Sequence, residues 1–245
     1  MRGLTSSEVL AVWELGGNQS PARRALTMLA PVCAGETVQS LAALPVGRRD
    51  ARLLELRERT FGRHFSSLAR CPNCDEQVQA DFETTDIRAP AEMSAPLDDC
   101  RHHGFIARLR LPDSNDLEVS ARAPDAVTAR RELVARCLVD LQSPRAGPGR
   151  GVEELPEAFV SMMAARIAAA DPQADAQLSL TCSACGHRWN APFDIAEFFW
   201  TELQTCARRL LGEVHELAAA YGWREADILA LSPARRAAYL GLVRG

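Results

Sequence analysis

Apolar positions recur at three- and four-residue intervals over most of this chain and alternate strictly in only a few short stretches. From residue 4 to 69 the spacing predicts helix. Glu8 to Leu15 forms a short apolar-rich helix that stops at Gly16-Gly17. Ser20-Pro21 sets a capping hydroxyl before a proline at the first helical position, and Ala25, Leu26 and Leu29 continue the apolar face. Pro45 and Gly47 break the pattern. Asp50 to Arg59 resumes as a strongly charged helix with Leu53, Leu54 and Leu56 inward; its charges read as a solvated face, with a partner surface as the alternative.

Beyond residue 69 the period shortens. Val78, Ala80 and Phe82 alternate as a strand, and 87–97 is a linker rich in proline and alanine. Phe105, Ala107, Leu109 and Leu111 alternate again. Pro112 to Ala121 reads as a hairpin return or a short helix capped by Ser114, the helix being favoured. Asp125 to Leu141 has helical spacing through Val134, Cys137, Leu138 and Leu141, and 143–151 reads as a flexible loop. Pro156 to Ala170 is helical, and Leu178 and Leu180 lie on a strand. Asp194 then caps a long helix, with Glu197 completing a capping box. Phe198, Leu203, Cys206, Leu210, Val214, Leu217 and Tyr221 mark its apolar face, and Gly222 ends it. Ser232-Pro233 opens a last helix whose Tyr239 and Leu240 pack back.

Two short motifs change this picture. Cys71-Pro72-Asn73-Cys74 and Cys182-Ser183-Ala184-Cys185 are each followed by apolar residues at the same offsets: Val78, Ala80 and Phe82 in one copy, Trp189, Ala191 and Phe193 in the other. Each reads as a metal knuckle running into a strand. Together Cys71, Cys74, Cys182 and Cys185 supply four thiolates, the set of a closed tetrahedral zinc site. Such a knuckle often needs a left-handed residue after its second cysteine; Gly186 suits it, and Asp75 is tolerated there better than most. The gap between the pairs far exceeds ordinary zinc-ribbon spacing, but the matching offsets restore the pairing. Unmetallated or disulfide-bonded pairs, and an electron-transferring iron centre, remain alternatives. His64 and His187 are substitute ligands, although His187 is expected at the surface, on the strand face opposite Trp189. Cys33, Cys100, Cys137 and Cys206 lack partner spacing and read as buried free thiols.

The expected class is therefore α+β, mostly α-helical, with a small four-cysteine zinc ribbon built from two distant knuckles. It divides into a helical segment 1–69, a knuckle and strand 70–86, a mostly helical insert 87–175, a second knuckle and strand 176–194, and a helical segment 195–245. A net charge of −4 predicts no strong pull toward nucleic acid or acidic membranes. All 28 basic residues are arginine, which reads first as the mark of a GC-rich genome and only secondarily as a demand for bidentate, always-charged contacts. The start of the chain shows no secretory pattern and no run spans a bilayer, so a cytoplasmic protein is expected. No nucleophile elbow, Walker loop or dinucleotide fingerprint occurs, and His215-Glu216 lacks a histidine at 219, so no enzyme is expected.

Some segments carry a resemblance. Leu44-Pro45-Val46-Gly47-Arg48-Arg49-Asp50 precedes the first knuckle. Phe193-Asp194-Ile195-Ala196-Glu197-Phe198-Phe199-Trp200, Glu213-Val214-His215-Glu216-Leu217, Tyr221-Gly222-Trp223 and Ser232-Pro233-Ala234-Arg235-Arg236 follow the second. Together they resemble baseplate proteins related to the hub assembly chaperone of T-even phages, a family also found with contractile tails and phage-derived contractile injection systems. The resemblance implies a non-enzymatic assembly factor or minor baseplate component that binds baseplate or hub proteins and can enter a tail-like particle. Tyr221 and Trp223 flank a helix-ending glycine, where they either seal the protein's own core, the favoured reading, or dock on a partner. A zinc-ribbon nucleic-acid-binding regulator is the competing function, disfavoured by Asp75, Glu76 and Asp81 beside the first knuckle.

Overall fold

The computed structural model describes residues 1–90, 97–142 and 155–245, so the loop expected at 143–151 lies outside the described residues. The fold is α+β with helix predominant. Helices α1 (Ser6–Gly16), α2 (Pro21–Leu29), α3 (Val38–Ala42) and α4 (Val46–Phe61) open the chain. Thr5 caps α1 through a reciprocal pair with Glu8, and Ser20 caps α2 ahead of Pro21. Their apolar stripes, including Val12, Leu26, Met28, Leu53, Leu54 and Leu56, meet in one core.

The predicted helix to residue 69 ends early. Gly62 at φ 95° turns the chain out of α4, and His64–Arg70 forms strand β1. The charged face of α4 is also not simply solvated. Arg49, Asp50 and Arg57 are buried. Arg57 donates to both carboxylate oxygens of Glu202 at 2.8 and 2.6 Å, and its guanidinium lies 3.7 Å above the Phe65 ring. A planar fork with a weakly hydrated face can do both at once.

Strand β1 pairs antiparallel with β2 (Gln77–Glu83), the one-turn helix α5 (Thr84–Ile87) follows, and β6 (Gln177–Thr181) pairs with β7 (Arg188–Pro192) in the same way. The registers correspond. Arg70 faces Gln77 and Thr181 faces Arg188, so in each hairpin the residue before the first cysteine opposes the third residue after the second. Phe65, Phe82 and Phe193 pack where the hairpins meet: Phe65 and Phe82 stack at 5.0 Å, and Phe193 sits edge-on to both at 5.7 and 5.4 Å. Such pairs each contribute about 0.5–1.5 kcal/mol beyond burial.

The insert has more sheet than its spacing predicts. Strands β3 (Cys100–His102), β4 (Phe105–Leu109) and β5 (Leu138–Gln142) form a three-stranded sheet packed with α7 (Ala126–Cys137) and α8 (Glu157–Ala170), while α6 (Ser114–Ser120) lies against α7 and α2. The helix expected to run to Leu141 stops at Cys137, because Leu138 to Gln142 complete the edge of β4. A non-local ladder overrides local helical spacing there. Asp113, not Ser114, caps α6, accepting from the Asn115 and Asp116 amides.

Helix α9 (Ile195–Tyr221) is the spine, packing against α1, α2, α4, α10 (Glu225–Ala230) and α11 (Pro233–Arg244). Asp194 caps it as expected. Glu197 does not close a capping box; it points to Arg24 instead, at 4.0 Å. Gly222 ends it at φ 68°. No described helix is long and apolar enough to cross a membrane.

Candidate metal centre

Cys71, Cys74, Cys182 and Cys185 converge at the tips of the two hairpins, with ligand atoms all within 4.8 Å of one another. The closest approaches run between knuckles: Cys71 Sγ to Cys185 Sγ at 3.7 Å and Cys74 Sγ to Cys182 Sγ at 3.6 Å. A regular tetrahedron of sulfurs about 2.3 Å from a central ion has an edge of about 3.8 Å. These cross-knuckle distances fit that edge. Cys71 and Cys182 are buried and Cys74 and Cys185 exposed, so the cluster sits half-sunk at the hairpin tips.

Each knuckle is built by the same two backbone bonds. The Cys71 amide donates to Glu76 and the Asp75 amide to Cys71; the Cys182 amide donates to His187 and the Gly186 amide to Cys182, all at 2.9 Å. Asp75 and Gly186 take the expected left-handed conformation, at φ 58° and 72°. Without a Cβ, Gly186 does so freely; Asp75 is among the few other residue types that tolerate it.

Electrostatics favour a cation between the sulfurs. The His187 amide, then the Asn73 side chain at 3.6 Å, pull the Cys185 thiol down to about 6. The Glu76 amide pulls Cys74 the same way, but crowding by the Cys185, Cys182 and Cys71 sulfurs raises it to about 12. Four thiols this close cannot all ionise unless a positive charge compensates them. All four positions are taken by sulfur, so a bound ion would have a closed protein shell and a scaffolding role.

His187 is exposed, as expected, but it shares a face with Trp189, as residues two apart on a strand must. The rings stack at 6.1 Å, correcting the placement on opposite faces. His64 lies at the far end of β1, 3.8 Å from Asp81. Cys100 and Cys137 are buried in the insert, whereas Cys33 and Cys206 are only half-buried. Tyr221 and Trp223 stack at 4.8 Å, Tyr239 meets the Trp223 ring edge-on, and Trp223 packs against Leu217, Ile228 and Leu240.

One buried polar cluster has no counterpart in the spacing of the sequence. The amide of Gly47 donates to Asp171 Oδ2 at 2.8 Å, and a Cβ at 47 would overlap that carboxylate. Val46 donates to the Pro112 carbonyl, and buried Arg49 reaches Asp50 and Ser114. Pro45 to Asp50 is thus where the insert seats on the helical core. Only the pairing of glycine with a break was visible in the sequence.

A family model described as T4 bacteriophage base plate protein matches residues 7–146, more than half of the chain. The chain belongs to this family. The matched span contains Leu44 to Asp50 and the first knuckle, whereas the C-terminal segments that carry the resemblance lie beyond it. No curated protein and no solved structure matches the chain.

Proposed function

We propose that this protein is a non-enzymatic assembly factor or minor component of the baseplate of a contractile tail or phage-derived injection system, acting in the cytoplasm before or during tail construction. Its family membership is the observation that carries this reading. One structural zinc ion held by Cys71, Cys74, Cys182 and Cys185 clasps the two hairpins, so that α9 and the helices around it are presented to baseplate or hub proteins. Tyr221, 39% exposed on the Trp223 ring, offers an aromatic edge to such a partner. Nothing favours nucleic acid: the outward positions of β2 are Gln77, Gln79, Asp81 and Glu83.

Purified protein should be colourless and hold one zinc per chain by elemental analysis; a red sample would select iron. Co-expressed with the baseplate proteins of its own tail, it should co-purify with at least one. Deleting residues 221–245 should abolish that association and leave the zinc in place. Failure of the intact chain to bind any baseplate protein would overturn the reading.

A further inference from the structure

The β1–β2 ladder determines which backbone groups are already spent. Cys71 donates to Glu76 and Thr84 donates to Arg63. Bonded positions alternate in an antiparallel pair, so with His64 opposite Glu83 the residues bonded to β2 are Phe65, Ser67 and Ala69. Ser66 and Leu68 turn their N–H and C=O groups away from β2. Among the described residues, no hydrogen bond meets them. Leu68 is 63% exposed beside them.

This edge forms one wall of a groove of about 980 Å³ whose other wall is α9 and whose floor includes Phe61, Phe193 and Phe198. The other hairpin differs. There Cys182 bonds His187 and Phe193 bonds Ala176, which leaves Arg188, Asn190 and Pro192 as the outward positions of β7. Pro192 has no N–H to offer, the usual way a strand edge is blocked. The outer edge of β2 is polar at every position, ending in Asp81 and Glu83. Unlike β2 and β7, β1 combines unspent backbone groups with an apolar trough.

The α9 wall is charged at its ends and neutral between them. Exposed Asp194 and Glu197 stand at its start. Arg209, with its side chain 69% exposed and 3.6 Å from Glu213 on its far side along the helix, stands fifteen residues on, about 22 Å at 1.5 Å per residue. Midway, Arg57 and Glu202 cancel each other. An extended chain of about six or seven residues covers the same length at about 3.3 Å per residue.

We propose that this groove receives an extended segment of a partner baseplate protein as an added strand on β1. The segment is apolar at alternate positions, with a basic residue toward Asp194 and Glu197 and an acidic one toward Arg209. This rests on the baseplate reading above.

The test uses the full-length, metal-loaded chain co-expressed with the baseplate proteins of its tail. Ser66→Pro and Leu68→Pro each delete only an outward N–H and leave the bonds to β2 in place, whereas Asp81→Pro makes the same change on the outer edge of β2. Capture should fall about tenfold or more in the first two and persist in the third. In the captured wild-type complex, amide exchange at Ser66 and Leu68 should slow. Should a proline variant fail to fold, judged by metal content and melting, the exchange measurement decides alone. Undiminished capture by folded proline variants, or unprotected amides in the complex, overturns the groove and spares the baseplate reading. A homodimer that protects the same amides without any partner assigns the groove to a second copy and overturns the proposal. Capture of no baseplate protein at all sinks the baseplate reading, and this inference with it.

Discussion

Two fastenings between distant parts of the chain work by opposite means. At the hairpin tips, sulfurs 114 residues apart stand at 3.7 Å, half exposed to solvent. At the seat of the insert, Gly47 and Asp171, 124 residues apart, meet through one buried hydrogen bond with no room for a methyl group. The first fastening is chemical. Given its ion, it depends on ligand identity and on two short turns, and it tolerates variation around them. The second is steric and electrostatic: buried Arg49, Asp50, Ser114 and Asp171 must all find partners in a medium that penalises any left unpaired. A staple of ligands is robust to its surroundings, and a buried polar seat is not.

The largest expected effect breaks the first fastening. Cys71→Ser combined with Cys185→Ser should abolish metal binding and remove on the order of 10 kcal/mol of folding free energy at neutral pH, read as lost zinc and a collapsed melting transition. Retained metal with unchanged melting would refute the clasp.

The second fastening is probed next. Gly47→Ala drives a methyl into the Asp171 carboxylate and should cost about 1–3 kcal/mol in denaturant unfolding while zinc content stays at one per chain. Loss of metal in this variant would show that the two fastenings are not independent.

Titration separates them further. Burial pushes Asp50 up to about 6, against the opposing pull of Arg49, and burial also raises Asp171. An acid whose folded pKa exceeds its unfolded value holds its proton more tightly when folded. Its contribution is therefore full below about pH 4 and lost as pH rises through about 6. Asp50→Asn should remove this dependence, so its stability relative to wild type should grow by about 2–3 kcal/mol between pH 4 and 7. A constant difference across that range would sink the assignment.

The smallest effect distinguishes the two knuckles from each other. Gly186→Ala places a Cβ at φ 72° and should cost about 1 kcal/mol. Asp75→Gly should be neutral to slightly stabilising, within about 0.5 kcal/mol, since the exposed Arg70–Asp75 pair it removes is worth little. Equal costs at both positions would mean that the turns are not equivalent.

Sequence alone determined the features whose physics is local. The capping of α2 by Ser20, of α9 by Asp194 and of α11 by Ser232, the left-handed turns at Asp75 and Gly186, and the stop at Gly222 depend on a few adjacent residues and are found. The candidate metal-ligand set of four cysteines belongs here too, because two-residue spacing and equal offsets leave a trace in each copy. Tertiary structure decided what depends on partners far along the chain. Residues 64–70 became a strand because Phe65 pairs with Phe82, and 138–142 did so because β4 had an open edge. Arg49 and Asp50 left the solvated face of a helix by pairing with each other beside Ser114, and Arg57 by meeting Glu202 and the Phe65 ring. The open edge of β1 arose in the same way: no spacing distinguishes Ser66 from Ser67, and only the ladder with β2 sets which of the two has unspent hydrogen-bonding groups.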